Sequence, residues 1–399
     1  MILDNFPAMR SHALARLAQF APRAGRDYAT GRNSDPGPQQ MGAVSKLSPY
    51  IRYRLITEQE VVGTTLGQHS VPAAEKYVQE VLWRTYWKGW LEMRPSVWTQ
   101  FVEERDQQRD SLPDASAVRN AEHGVTGIEG FDDWARELVE TGYLHNHARM
   151  WFASIWIFTL RLPWVLGADF FLRHLVDADA ASNTLSWRWV AGLQTAGKTY
   201  LATTDNIERF TNGRFAPKGL ATVATVPSAM PFVEARPLPQ AAYFDPQKPA
   251  YVLVTPEDLH PESVIGAPTQ IRGAAILFDP EILWGENARS FVAAATGDVL
   301  ERVRNTFPCP VISLNSLDPS ALLAQARESR AEQIITPYAP VGPIADALTG
   351  IAPLLASEGT PLVQVRRSWD ETFWPLATKG FFPFKERVPM ILRDMGLAR

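Results

Sequence analysis

The stretch Thr141–Val190 gathers side chains able to do chemistry inside an apolar setting. His145, Asn146, His147 and Arg149 open the segment Met150–Leu160, which carries no charge, and Asp177 and Asp179 follow with one residue between them. An arginine withdrawn from water needs a counter-charge, since an unpaired buried ion costs several kcal/mol, and the two aspartates are carboxylates that can meet it. Trp151, Trp156, Trp164, Trp187 and Trp189 are spread through the same stretch. These residue types describe a cavity with a buried charge in it. A metal centre is not expected. Asp177 and Asp179 lack the glycine of a calcium loop, with Arg188 at the final-ligand position. His145 and His147 are too close for the usual zinc spacing and have no third ligand in view.

The elements that must position these groups can be read from periodicity. Residues 71–93, VPAAEKYVQEVLWRTYWKGWLEM, form a helical pattern with Tyr77, Val81 and Arg84 on one stripe and Glu80, Trp83 and Trp87 on the next. Glu80 and Arg84 are an i,i+4 pair, and the aromatic residues around them suggest a pocket wall. Residues 5–22 read as an amphipathic helix ended by Pro22, and a polar, turn-rich loop follows. Ser45 or Ser48 can cap a helix starting at Pro49, a place that favours an anion such as phosphate; an ordinary cap explains the same residues. Residues 102–123 read as surface loop with a short helix, a further helix starts near Phe131 and ends at Gly142, and residues 190–215 read as loop.

Composition sets the outer limits. With 399 residues, two or three domains are expected. An apolar fraction of 46% and a charged fraction of 21% are those of a globular chain. No segment approaches the roughly 20 apolar residues of a membrane span, the start lacks a signal pattern, and the chain is expected to be soluble and cytoplasmic. One cysteine, Cys309, excludes an internal disulfide. Residues 1–240 carry 25 basic and 25 acidic side chains, and the remainder 14 and 18, so a nucleic-acid partner must meet a local patch. Ten of the thirteen tryptophans precede residue 190. The two halves are therefore unlike.

Prolines at 217, 227, 231, 237, 239, 246 and 249 mark an extended linker. Beyond it YVLV, GAAILF, CPVISL, QIITPY and PLVQV alternate with amphipathic stretches at 287–305, 318–328 and 342–357. That alternation predicts a doubly wound parallel sheet, although neither a dinucleotide nor a P-loop fingerprint is present. The expected division is a helical domain over 1–220, a linker over 221–249 and an α/β domain over 250–399.

Six segments, GRDYATGR, SKLSPYI, VQEVLWRTYW, TGYLHNHARM, VDADAASN and WRW, resemble in order and spacing the flavin domain of the photolyase/cryptochrome family. The resemblance covers roughly residues 10–215. It implies an all-α FAD-binding domain followed by a Rossmann-like α/β domain, the reverse of the family's usual order. By position it implies that Tyr28, Ser45, Lys46, Leu47, Ser48, Arg84, Asp177, Ala178 and Asp179 hold FAD. Arg149 would pair with Asp177 beside the flavin ring, and Asn183 would face the flavin N5. It places Glu80, Trp83, Asn146, Met150 and Trp189 in the pocket for a cyclobutane pyrimidine dimer, with Arg84 completing it. Trp187 and Trp164 fall in the electron relay, whose surface position carries Ser111. Arg32, Arg52, Arg54 and Arg188 are the candidates for DNA phosphate contacts.

The function implied is light-driven repair of UV-damaged DNA, the activity of a deoxyribodipyrimidine photo-lyase. One alternative is a cryptochrome-like photoreceptor acting on a protein partner. Another is a nucleic-acid-binding module without FAD. The α/β half has VTPEDLHPES where the family has an arginine-rich loop, so an antenna chromophore is left unassigned.

Overall fold

A computed structural model describes residues 2–40, 42–112, 115–195, 197–228, 233–266 and 270–398. The first half is helical. Its spine is the helix Val71–Glu92, with proline in its first turn and Ala74, Tyr77, Val78, Val81, Leu82 and Tyr86 buried along its length. The helix Glu58–Leu66 before it starts in a capping box, in which Thr57 Oγ1 accepts from the Glu60 N–H at 3.2 Å and Glu60 Oε2 accepts from the Thr57 N–H at 2.8 Å. The helix Asn146–Ser154 runs into a π-helical turn, Ile155–Thr159, closed by the Leu160 N–H on the Ile155 carbonyl at 2.9 Å. The helix Ala180–Ala191 is capped by Asp179, whose Oδ1 accepts from the Ser182 N–H at 2.6 Å.

Two local expectations need correction. Residues 102–123 are mostly helical, as Ser96–Ser111 and Ser116–Glu122. Val97, Trp98 and Phe101 anchor the first of these in the core, so its polar remainder is the solvated face of a helix. Residues 204–210 form another helix, capped by Thr203, inside the stretch read as loop.

Five strands, β1 (Ala250–Val254), β2 (Ile271–Leu277), β3 (Val311–Leu314), β4 (Gln333–Pro337) and β5 (Leu362–Val365), form a parallel sheet in the order β3-β2-β1-β4-β5. Alternate residues of β1 face opposite sides. Val252 and Val254 join the core shared with the helix Glu286–Thr306 and the helical half, whereas Tyr251 and Leu253 meet the helices Pro319–Glu328 and Pro343–Ser357. The sheet is doubly wound, as the alternating pattern predicts.

The carboxyl edge of this sheet lies against the helical half. After β1, Glu257 and Asp258 reach Arg52 and Arg54; after β4, Tyr338 donates to Glu92 Oε2 at 2.7 Å; after β2, Trp284 donates to Asp169 Oδ1 at 3.1 Å. At Gly285 a Cβ would stand 2.1 Å from the Arg173 carbonyl oxygen, so only glycine permits that approach. The chain after β5 returns to the helical half: Trp369 donates to Thr85 at 3.1 Å, and the helix Phe381–Asp394 lies on the Val71–Glu92 helix. Described residues of the 221–249 stretch carry neither helix nor strand. The Arg236 N–H donates to the Met93 carbonyl and Arg94 Nε to the Val233 carbonyl. Residues 229–232 of the expected linker, Pro231 among them, lie outside the described residues. No described helix is long and apolar enough to cross a membrane.

Candidate functional site

A cavity of about 550 Å³ opens between the Val71–Glu92, Asn146–Ser154 and Ala180–Ala191 helices and the loop before Ser48. That volume is in the range of sites for sizeable organic ligands. Of the residues singled out in the sequence, Tyr28, Arg32, Ser45, Lys46, Leu47, Ser48, Glu80, Trp83, Arg84, Asn146, Arg149, Met150, Asp177, Asp179, Asn183, Trp187 and Trp189 all line it. Ala178 and Trp164 do not. Ala178 borders a small cavity beside Arg52, Trp98 and Glu257, and Trp164 packs on Phe101 at 5.8 Å.

Charge is concentrated at the floor. Arg149 Nη1 lies 3.5 Å from Asp177 Oδ2, and Arg84 Nη2 lies 3.6 Å from the same oxygen. Arg84 Nη1 also donates to Asp179 Oδ2 at 2.8 Å, with Arg52 Nε at 3.6 Å and Lys88 Nζ at 3.9 Å. Burial opposes ionisation of Asp179, but Arg84, Lys88 and Arg52, together with the Ser182 N–H, outweigh it and hold the carboxyl well below its usual range. The Glu80–Arg84 pairing that the helix spacing suggests is not formed. Arg84 turns to the two buried aspartates, which have the greater need of a cation.

Glu80 is left with Asn146, whose Nδ2 donates to its Oε1 at 3.2 Å, and with Arg32 at 3.8 Å. Burial pushes its carboxyl pKa up, with Arg32 opposing. The two flanking tryptophans are each backed by another ring. Trp83 stacks on Phe381 with 3.7 Å between centroids and 12° between planes, and Trp189 stacks on Tyr200 at 5.8 Å. The C-terminal aromatic segment thus stiffens a wall of this cavity, a role that its composition did not reveal.

Ser48 Oγ and Ser182 Oγ, buried hydroxyls lining the cavity, have no hydrogen-bond partner among the described residues, and a bound ligand would supply one. Ser182 was missed in the sequence, although its place three residues after the Asp179 cap was a usable signal. The Asn183 amide donates to the Ala168 carbonyl at 2.8 Å, which leaves its own carbonyl oxygen for the cavity. Lys46 adopts a left-handed backbone, with φ of 51°, in the loop that also supplies Ser45, Leu47 and Ser48. His145 is buried and neutral, its pKa lowered to about 4 chiefly by desolvation, and its Nδ1 accepts from the His147 N–H at 3.2 Å. Among the described residues no group of three His, Cys, Asp or Glu side chains converges as a metal site. The donor set fits a flavin dinucleotide: two serine hydroxyls, a loop lysine, a guanidinium–carboxylate pair and an amide carbonyl.

Behind the cavity, Trp187 makes edge contacts with Phe171 at 5.1 Å and Trp156 at 6.3 Å. Gly167 makes room for both indoles, because a Cβ there would lie 2.4 Å from Trp187 Cη2 and 2.9 Å from Trp156 Cε2. Trp151 stacks on Trp134 at 5.3 Å and donates to Asn206 at 2.9 Å, a core role. Of the arginines offered for phosphate contacts, Arg52, Arg54 and Arg188 are buried, and only Arg32 is partly open at the cavity mouth. Arg52 and Arg54 are spent on carboxylates of the α/β half.

Residues 77–232 match the family described as the FAD binding domain of DNA photolyase. The deoxyribodipyrimidine photo-lyase of Streptomyces griseus is 34% identical over 170 residues, which cover 42% of this chain and 36% of that protein. The Synechococcus enzyme of the same name is 32% identical over 194 residues, covering 45% and 38%. The crystal structure of a class III photolyase from Agrobacterium tumefaciens is similar at 28% identity with a TM-score of 0.44, covering 51% of this chain and 43% of that one. The chain therefore spans less than half the length of these relatives. Within its helical half, residues 77–232 are thus similar to the FAD binding domain of DNA photolyase.

Proposed function

We propose that the protein is a light-driven DNA repair enzyme, a deoxyribodipyrimidine photo-lyase that splits cyclobutane pyrimidine dimers in UV-damaged DNA. Residues 1–220 form the flavin- and lesion-binding unit in this reading, joined through 221–249 to an α/β unit at 250–399, and the enzyme works in the cytoplasm. The observation that carries it is the sharing of one cavity by two sets of groups. Arg149, Asp177, Asn183, Ser48 and Ser182 suit a flavin, while Glu80, Asn146, Met150, Trp83 and Trp189 suit a flipped-out pyrimidine pair. FAD, reduced and excited by light, supplies the electron for ring opening.

The protein's own part is to bind, orient and stabilise. Trp83 and Trp189 offer stacking of roughly 1–3 kcal/mol per base against the cost of extruding the lesion. Glu80, whose carboxyl burial shifts toward the protonated form, is placed to donate toward a pyrimidine carbonyl as negative charge develops there, and Asn146 fixes the carboxyl's orientation. Arg32 at the mouth is the candidate for a phosphate contact.

The test is illumination of purified protein with dimer-containing DNA. Glu80→Ala should lower the yield of repair by about tenfold, the equivalent of one charge-assisted hydrogen bond. Because the Glu80 pKa is raised, wild-type yield should fall as pH rises through it, whereas Glu80→Gln, a donor at every pH, should give a flat profile. Equal repair by Glu80→Ala would sink the assignment of that residue. Bound flavin without any loss of dimers would leave the photoreceptor reading in its place.

A further inference from the structure

We propose that Glu257, at the carboxyl end of β1, is a positioning residue for the flavin site, acting on Asp179 through Arg52. The inference rests on the FAD-binding reading of the cavity. Arg52 lies between two carboxylates from different halves of the molecule. Its Nη1 and Nη2 donate to Glu257 Oε2 and Oε1 at 2.7 and 2.6 Å, and its Nε faces Asp179 Oδ2 at 3.6 Å, outside hydrogen-bonding range. All three side chains are more than nine-tenths buried. A guanidinium has five donors in a fixed fork, and the bidentate Glu257 takes up the outer edge of that fork.

This arrangement decides which cation owns Asp179. The Asp179 Oδ2 hydrogen bond goes to Arg84, at 2.8 Å, and Arg84 lines the cavity whereas Arg52 does not. Without the Glu257 charge, the strongest anion left within reach of Arg52 is Asp179. Arg52 would move onto it in the bidentate manner, displacing Arg84 toward Asp177 and disturbing the Arg149–Asp177 pair. Glu257 thus keeps the outer arginine away so that the inner one can orient the site. Neither Glu257 nor Arg52 lines the cavity, which is why the role is one of positioning.

A second buried pair at the same boundary provides the control. Arg54 Nη2 donates to both Asp370 oxygens, at 3.0 and 2.7 Å, without reaching Asp177 or Asp179. If Glu257 were merely structural, Glu257→Gln and Asp370→Asn would have the same kind of effect.

The experiment compares the two variants in the full chain by FAD titration and by thermal melting of the flavin-free protein. Glu257→Gln is expected to weaken FAD binding by about tenfold and to alter the fine structure of the bound flavin's absorption band. Asp370→Asn should lower Tm with FAD affinity unchanged. The double variant Glu257→Gln/Arg52→Met, which removes the competing cation at similar volume, should recover most of the affinity, and it keeps the test available should the single variant fold poorly. The proposal is overturned if Glu257→Gln binds FAD like the wild type, if both single variants lose affinity in step with Tm, or if the double variant recovers nothing. Failure of the wild type to bind FAD would instead strike at the flavin reading itself.

Discussion

Asp179→Ala is expected to be the most damaging single substitution in the helical half, with a loss of about 3–5 kcal/mol from uncompensated buried charge and about 1 kcal/mol more from the missing helix cap. One carboxylate serves Arg84, Arg52 and Lys88 and also accepts from the Ser182 N–H, so its removal takes the carboxylate from Lys88, breaks the only hydrogen-bonded ion pair of Arg84 among the described residues and uncaps the Ala180–Ala191 helix at once, while Arg52 keeps Glu257. Against a total stability of about 5–15 kcal/mol, that is enough to cost the protein its flavin and much of its solubility. Urea unfolding and the flavin content of the purified variant both report it. Wild-type level in either would show that Arg84 finds another partner. The pH dependence has a definite sign. The folded-state pKa lies below the unfolded one, so the stabilisation is complete above about pH 4 and disappears as pH falls further. The Asp179→Asn variant should lack that acid-sensitive component.

The second large effect belongs to Arg54→Ala. Arg54 is 2% exposed and holds Asp370, Asp258 at 3.5 Å and Glu58 at 3.9 Å. Asp258 keeps a bidentate partner in Arg367, at 2.7 and 2.8 Å, but Asp370 and Glu58 would lose their shared guanidinium, leaving Lys88 as the cation acting on Asp370. Burial already raises the Asp370 pKa with Arg54 present. In its absence the Asp370 carboxyl is pushed further toward its protonated form, so the variant should become less stable as pH rises toward neutrality. A loss of about 3–5 kcal/mol is expected, read as a fall in the main melting transition at pH 7 that is partly recovered at pH 5. A pH-independent melt would mean that water enters the site.

How much of this was legible in the sequence follows from range. The strands Ala250–Val254 and Ile271–Leu277 and the helix Glu286–Thr306 stood out because their patterns are local: the first strand is buried throughout, the second over its last five residues, and the helix buries one periodic face. The helix Ser96–Ser111 was misread since only its first turns are buried, which leaves too little periodic signal. In the cavity, Glu80 was suggested by helix periodicity, but the choice of Asp177 as the partner of Arg149 and the membership of Tyr28 and Asn183 came from a family resemblance. No spacing rule joins residues so far apart. The i,i+4 rule gave the wrong partner for Arg84, since helical proximity states which groups can meet and says nothing of what else competes for the cation. Glu257 and Asp370 were invisible as partners of Arg52 and Arg54 for the same reason: a charge's role inside a protein is fixed by the carboxylate that folding brings to it.

Those last two pairs also bear on how the protein is made. Arg52 and Glu257 are 205 residues apart, and Arg54 and Asp370 are 316 apart. Chains grow at about 5–20 residues per second, so Arg54 must wait roughly 15–60 s on the ribosome before its counter-ion exists. During that interval the helical half carries two arginines that it cannot bury alone. The two pairs therefore close only once the α/β half has been made, long after the residues that line the cavity.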